Sequence, residues 1–295
     1  MTTAAAPNAK HAPSSPPPAE RPVVRVEPTG GLLAGLKELA RYRDLLWALA
    51  GRDLKLRYKQ TILGVGWGVL QPLMPAAIFA FLFGTVGGFD SGPVPYLAFA
   101  FAGQVGWTLF GLNLDKIANS LVQNNALVAK VYFPRLMLPL APVLCALFDA
   151  AVALVVMAGM MVWFGIAPSP QILLVPLWLG LLATTSLGLG LLLAATAAHY
   201  RDVRYATPVL VQMLFFISPV AYGAPDVLKR LPDVGQFLYK LNPLVAPLEG
   251  LKWSLLGTTP PTAGAMALSL ASAAALVVVG TLVFSRLERR FADVI

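Results

Sequence analysis

Long uncharged, apolar stretches alternate with short polar or basic segments along this chain. Residues 61–89 contain no Asp, Glu, Lys or Arg, and in residues 136–200 Asp149 is the one such residue. About 20 apolar residues are enough for a helix to cross the hydrocarbon core of a bilayer. The pattern therefore predicts an all-α integral membrane protein.

The apolar stretches divide into six predicted transmembrane helices. The run at 136–200 is long enough for two crossings, and its Gly- and Pro-containing segment 165–170 is typical of a turn. The predicted spans are residues 62–84, 94–114, two within 136–200, 205–222 and 264–284. An even number of crossings places both chain ends on one side of the membrane.

The basic residues indicate which side that is. If the N-terminus is cytoplasmic, eighteen of the 22 Lys and Arg residues fall in cytoplasmic segments and four in outer ones. Lys and Arg are enriched in cytoplasmic loops of membrane proteins. We therefore expect both termini to be cytoplasmic, and the net charge of +8 to reflect topology and not nucleic-acid binding.

Three regions are expected along the chain. Residues 1–30 form a Pro-rich, disordered cytoplasmic tail, because they have too few apolar residues to bury a core. Residues 31–60 form an amphipathic helix, with leucines at spacings near 3 and 4 and basic residues mostly on other faces. This helix either lies in the headgroup layer or packs on its own protein. Residues 61–295 form the six-span domain.

Three connecting segments are also expected to have structure. Residues 116–135 are long enough for a short cytoplasmic helix, and residues 199–204 form a short, highly polar loop. Residues 223–262 are too long for a hairpin and contain Asn242-Pro243 and Pro247, which predicts short outer helices between spans five and six.

The sequence carries few signs of catalysis. It has no G-x-x-x-x-G-K-[ST] phosphate-binding loop, no G-x-S-x-G motif, two histidines and one cysteine. We therefore expect no catalytic residue, no metal site and no cofactor in this chain. Asp149 is the one acid within a predicted span, and it either serves transport or pairs with a neighbouring hydroxyl or backbone group.

Several segments, in order, resemble one family of membrane proteins. They are RDLKLRYKQTILGVGWGVLQPLMP, NSLVQNNALVAKVYFPRLMLPL, HYRDVRY, QMLFFISPVAYG, LNPL followed by Glu249-Gly250, and RLERRFADVI. Together they resemble the permease subunit of ABC-type polysaccharide exporters, which move lipid-linked O-antigen or teichoic-acid chains. The resemblance implies a bacterial inner-membrane protein that forms a channel as a homodimer. It also implies two cytosolic ATPase subunits, which would bind the ATP and Mg²⁺.

The resemblance suggests roles for particular residues. Segment 119–135 matches the family's coupling helix, with a second, smaller contact at 201–202. The candidates for ATPase coupling are Asn124, Asn125, Lys130, Tyr132, Phe133, Arg135, Arg201 and Asp202. Residues 226–252 would form a gate near the exit.

Spans one and five line the channel in similar permeases, and aromatic rings there would contact the C–H faces of sugars. The candidates for this substrate path are Phe79, Phe81, Phe83, Phe215, Phe216 and Tyr222. Any one of these rings can instead face lipid or pack between helices. The lipid pyrophosphate of the substrate would be met by Arg52, Lys55, Arg57 and Lys59.

Two other classes of function stay open at this point. The first is an ABC-type permease for a drug or a lipid, which would have the same architecture. The second is a stand-alone ion-coupled carrier or membrane enzyme, which is disfavoured by the single intramembrane acid and the lack of catalytic groups.

Overall fold

The computed structural model describes residues 41–59, 61–88, 92–130 and 133–288. The predicted tail, the first part of the predicted amphipathic helix and Tyr132 lie outside these residues. No strand occurs within the described ranges, which agrees with the predicted all-α class.

Eleven α-helices occur in the described ranges. They are α1 (Arg43–Tyr58), α2 (Gly66–Phe79), α3 (Tyr96–Gln123), α4 (Asn125–Lys130), α5 (Met137–Trp163), α6 (Val175–Ala197), α7 (Asp202–Ile217), α8 (Ala224–Leu228), α9 (Asp233–Leu241), α10 (Val245–Leu256) and α11 (Ala263–Glu288). The last turns of α2 continue as a π-helix, Ala80–Val86, and a 3₁₀ turn, Pro170–Leu174, precedes α6.

Five helical segments in the part of the chain that the structure describes are long and apolar enough to cross a membrane. They are Gly66–Val86, Tyr96–Gln123, Met137–Trp163, Pro170–Ala197 and Ala263–Leu287. These segments correspond to predicted spans one to four and six. The chain is therefore a multi-pass integral membrane protein.

The fifth predicted span, 205–222, has a shorter counterpart. Helix α7 has 16 residues and ends at Ile217, because Ser218 is extended. A helix of this length rises about 24 Å, which is less than the thickness of a typical hydrocarbon core. The remaining residues of that prediction, Ser218–Tyr222, continue without helix towards α8.

Helix α3 lies at the centre of the fold. It packs against α2, α5, α6, α7 and α10, and it is the most buried of the five membrane-length segments. Its N-terminal half is rich in Ala and Gly, so neighbouring helices can approach its backbone closely. At Gly103 an added Cβ would overlap the carbonyl oxygen of Val220.

Helix α1 packs along α5. Leu49 and Ala50 are buried in a cluster with Cys145 and Met137, whereas Trp47 and Leu56 are exposed. The predicted helix is therefore present over the described part of 31–60. One face of it packs on its own protein, and apolar side chains remain exposed outside that contact.

The most extensive helix pairing in the described residues joins α6 and α11, and two glycines lie in it. A Cβ at Gly188 would lie 2.7 Å from the backbone nitrogen of Val277, and a Cβ at Gly280 would overlap the carbonyl oxygen of Gly188. Lipid tails are as apolar as side chains, so helices in a bilayer associate largely through such close packing.

We expect Gly280→Ala to destabilise the protein by about 1–3 kcal/mol, since the added methyl group must push α6 and α11 apart. The measurement is the thermal unfolding midpoint of the purified chain in detergent. Gly264→Ala is the matched control. Gly264 is on the same helix, and its added Cβ would have no neighbouring atom within 4 Å. Equal midpoints for the two variants would contradict the glycine contact.

A candidate substrate groove between α2, α3 and α7

Prolines shape the helix that forms one side of the site. Pro72 and Pro75 lie inside α2, and each removes a backbone hydrogen-bond donor. The helix widens into its π-helical segment directly after Phe79. Phe79 and Phe83 are nevertheless on one face, and their rings stack with centroids 5.8 Å apart.

Between α2, α3 and α7 lies a groove of about 500 Å³. Its wall combines uncharged polar side chains with aromatic and aliphatic ones and a single carboxylate. The polar lining residues are Gln71, Gln104, Thr108, Asp115 and Gln212, and the others are Pro75, Trp107, Gly111, Leu112, Pro208, Val211 and Phe215. Such a surface can contact both the hydroxyl groups and the apolar faces of a ligand.

An aromatic cluster extends from this groove along α2. Phe215 lines the groove and contacts three other rings, with centroids 5.1 Å from Trp107, 5.8 Å from Phe79 and 5.4 Å from Phe216. Four of the predicted path residues, Phe79, Phe83, Phe215 and Phe216, are thus joined in one cluster. The sequence analysis missed Trp107, although a Trp in a predicted span next to the aromatic-rich ones was a usable signal.

The other two predicted path residues stand apart. Phe81 points away from the Phe79–Phe83 face and is 61% exposed. The hydroxyl group of Tyr222 donates to the carbonyl oxygen of Phe216 at 2.9 Å, and its ring packs in a small cluster with α8 and α9. The six aromatic residues therefore do not share one wall.

Gln104 is the most buried polar residue of the groove. Its side chain is 2% exposed, and its amide nitrogen has no hydrogen-bond partner among the described residues. A buried amide without a partner costs free energy that a ligand can recover. The sequence signal for this residue was a polar side chain within an apolar span, which usually has a function.

A buried ion pair lies beside the groove. The guanidinium group of Arg57 contacts the Asp149 carboxylate and also donates to Gln71 Oε1 at 2.6 Å. The hydroxyl group of Tyr58 donates to the other Asp149 oxygen. Burial and this carboxylate raise the pKa of Tyr58, so its hydroxyl stays protonated and can donate.

Asp149 has two side-chain partners in this arrangement. The acid does pair with a neighbouring hydroxyl, as one of the two interpretations predicted. It also pairs with a cation, because α1 brings Arg57 against α5, whereas the sequence showed no Lys or Arg near it in the chain. Arg57 is therefore not on an open surface: its side chain is 18% exposed.

The other three predicted pyrophosphate contacts have different surroundings. Lys55 and Lys59 are exposed. Arg52 donates to Asp53 and, at 2.9 Å, to the side-chain oxygen of Asn124. Arg52 thus links α1 to the start of α4, the predicted coupling segment.

The predicted coupling residues fall on both surface and core. Asn124, besides accepting from Arg52, donates to the carbonyl oxygen of Ser120 at 2.9 Å. Asn125 is exposed, and Arg201 and Asp202 are exposed at the start of α7. Asn125, Arg201 and Asp202 are therefore accessible to a partner.

Phe133 and Arg135 lie at the end of the predicted coupling segment, before α5. Phe133 is 6% exposed and packs with Leu49, Leu121 and Met137, so its ring is a core residue that holds the segment and not a surface contact. Arg135 is half-buried. The Lys130 side chain lies outside the described part of the chain, as Tyr132 does.

The predicted outer segment contains a second buried ion pair. Lys252 is fully buried, and its ammonium group lies 2.6 Å from Glu249 Oε1, one turn away on α10. It also donates to the carbonyl oxygens of Pro219 and Tyr222, at 3.0 and 2.9 Å. The sequence analysis counted Lys252 among the charges of an outer loop. The structure places it in the interior, where it holds α10 against the end of α7.

These features define a multi-pass helical membrane protein with an open, polar and aromatic groove. The described residues contain no group of three or more potential metal ligands. The family model described as ABC-2 type transporter matches residues 44–256, from α1 to the end of α10. The chain belongs to this family of transporter membrane proteins, which confirms the family resemblance of the sequence motifs.

Three proteins similar to this chain carry one and the same name. The chain is 28% identical over 211 residues to the O-antigen export system permease protein RfbA of Myxococcus xanthus, covering 72% of this chain and 80% of the relative. It is 26% identical over 255 residues to a protein with the same name from Klebsiella pneumoniae, covering 85% of this chain and 95% of the relative. A second Klebsiella pneumoniae relative of that name is 24% identical over the same length.

We expect Lys252→Met alone to cost about 3–5 kcal/mol, because it leaves the Glu249 carboxylate buried without its partner. The double variant Glu249→Gln, Lys252→Met should be more stable than the sum of the two single losses predicts. Thermal unfolding in detergent measures all three variants. Additive losses would show that the two charges do not depend on each other.

Proposed function

We propose that this chain is the permease subunit of an ATP-driven exporter that moves lipid-linked, O-antigen-like polysaccharide across the bacterial inner membrane. The single observation that carries the proposal is the groove between α2, α3 and α7, with amide groups and aromatic rings on one continuous wall. The names of the relatives point to the same substrate class, and the family membership points to a transporter.

The lining chemistry suits a sugar polymer that must slide. Rings such as Trp107 and Phe215 contact the C–H face of a pyranose without requiring one pattern of hydroxyl groups. Amides such as Gln104 and Gln212 exchange hydrogen bonds with successive hydroxyls, since they both donate and accept. A long polymer thus gains contacts at every step without one tight site that would stop it.

A second copy of this chain would complete the channel. In the single chain the groove is open, and exposed apolar residues of α2 and α7 flank it, including Met74, Ile78, Val209 and Met213. A homodimer that joins these faces would enclose the path between two grooves. Exposed apolar surface of this kind otherwise faces lipid.

Six crossings with both termini cytoplasmic complete the proposed topology. Helix α7 together with Ser218–Tyr222 would make the fifth crossing, and α8 to α10 would lie in the outer part of the protein as a gate. The distribution of Lys and Arg supports this orientation.

Energy would come from two cytosolic ATPase subunits, which hold ATP and Mg²⁺. The chain itself lacks a phosphate-binding loop. α4 and the start of α7 would dock on these subunits, and the Arg52–Asn124 hydrogen bond would carry their movement to α1. Arg52, Lys55 and Lys59 would attract the lipid pyrophosphate to the cytoplasmic interface, where Arg57 meets it.

A drug or lipid permease of the same family is the second candidate. Seven of the twelve residues that line this groove are apolar, aromatic or Gly, which also suits such a substrate. Deletion of the gene in the source bacterium distinguishes the two. Lipid-linked polymer trapped inside the cell supports the export of polysaccharide, and unchanged surface polysaccharide would contradict it.

We expect Phe215→Ala with Phe216→Ala to reduce polymer export several-fold more than ATP turnover by the assembled transporter, because the rings contact substrate and not the ATPase. Surface polysaccharide and phosphate release are the two measurements. Trp163→Ala is a control for loss of an exposed ring, since Trp163 lies at the end of α5, outside the groove lining. Equal loss of export and turnover would indicate misfolding.

We expect Lys130→Glu with Arg201→Glu to lower co-purification of the ATPase subunits at least several-fold, through charge reversal at both proposed contacts. The yield of ATPase per permease after affinity purification is the measurement. Arg43→Glu reverses an exposed charge on α1 and should leave the yield unchanged. An undiminished complex in the double variant would remove the coupling assignment.

A further inference from the structure

The Arg57–Asp149 pair belongs to a charged cluster that adjoins the groove. Arg57, Asp149 and Lys116 line a small cavity of about 10 Å³ between α1, α2, α3 and α5. This cavity and the groove share Thr108 and Leu112 as lining residues. The cluster therefore lies directly beside the proposed substrate path.

The lining of this small cavity contains two basic residues and one acid. Asp149 is balanced by Arg57, but the half-buried ammonium group of Lys116 forms no hydrogen bond or ion pair with any part of the chain that the structure describes. Of the nearby acids, Asp53 pairs with Arg52, whereas Asp115, which lines the groove, accepts from the neutral amide of Asn119. A partly desolvated cation without a counter-charge favours an anionic ligand.

The contacts of Arg57 allow it to exchange partners. One of its nitrogens contacts Asp149, while the other donates to Gln71, which lines the groove. If the guanidinium group turns towards the groove, Gln71 can keep its contact. The Tyr58 hydroxyl still donates to Asp149, so the carboxylate keeps a hydrogen bond when the arginine leaves. Arginine suits this exchange because its planar fork binds carboxylate and phosphate in the same geometry.

We propose that Lys116 and Arg57 form a binding site for the diphosphate group of a lipid, in which Asp149 occupies Arg57 until the ligand replaces it. This inference rests on the proposed function for the identity of the ligand. The proposal gives different roles to two groups of basic residues. Lys55 and Lys59, which are exposed, attract anions without holding them, whereas Lys116 and Arg57 hold the diphosphate at the groove.

Binding of farnesyl diphosphate to the full chain in phosphatidylcholine nanodiscs tests the site. We expect Lys116→Gln to weaken binding at least tenfold, because it removes a charged contact. Arg43→Gln, which removes a positive charge from an exposed position on α1, should change binding less than twofold. Equal weakening by the two variants would mean general charge attraction and would overturn the proposal.

Asp149 competes with the ligand for Arg57, and this gives a second test. Here the expected change in binding affinity is an increase. Asp149→Asn removes the competing charge while retaining the shape of the side chain, so we expect it to tighten binding several-fold. Tyr58→Phe leaves the released carboxylate without its hydrogen bond, so it should weaken binding. A merely structural pair would make both variants bind more weakly or unchanged, and that result would overturn the exchange. If Asp149→Asn does not fold, the Tyr58→Phe and Lys116→Gln results decide.

Three probes distinguish the sources of the anion. Farnesol should not compete, inorganic pyrophosphate should compete more weakly, and phosphatidylglycerol added to the nanodiscs should compete weakest among the anions. Inorganic pyrophosphate binding as tightly as farnesyl diphosphate would overturn the lipid assignment. Failure of the proposed function is separately visible: Lys116-dependent binding would persist while deletion of the gene leaves polysaccharide export intact.

Discussion

The structure depends on the burial of α3 among five neighbouring helices. In a bilayer no hydrophobic force drives one apolar helix onto another, so a central helix is held by close contact and by polar pairs. α3 satisfies this requirement with Ala and Gly in its N-terminal half and with hydrogen bonds such as that from Asn113 to Ser186 of α6. Displacement of α3 would disturb α2, α6 and α7 together.

The same burial creates the candidate site. Gln104, Thr108 and Asp115 recur on α3 at helical spacing, so one stripe of this helix is polar and lines the groove. α2 and α7 supply aromatic rings on either side, and α1, which precedes the first span in the chain, supplies Arg57. The site residues on these four helices therefore depend on the position of α3.

Sequence patterns were sufficient to predict the helices but not the contacts between them. Charge-free runs located five membrane-length helices, and the segment after Lys116 was correctly expected to contain a short helix. The helix of the fifth predicted span is shorter than expected, because it ends at Ile217 although uncharged residues continue to Tyr222. Pairings such as Arg57 with Asp149 join residues about 90 positions apart, and no local spacing reports them. Trp107 and Gln104 needed the same three-dimensional information, since their importance comes from helices that lie far away in the chain.

The buried pair on α10 has a consequence for biogenesis. Glu249 and Lys252 are one helical turn apart, so their opposite charges are already neighbours when the segment leaves the ribosome and forms its first turns. The two charges can thus pair within their own helix, and neither residue has to wait for a distant counter-ion. Arg57 and Asp149 lack this advantage, because the acid is synthesised long after the arginine. One pair therefore needs only its own helix to form, and the other forms only when the bundle assembles.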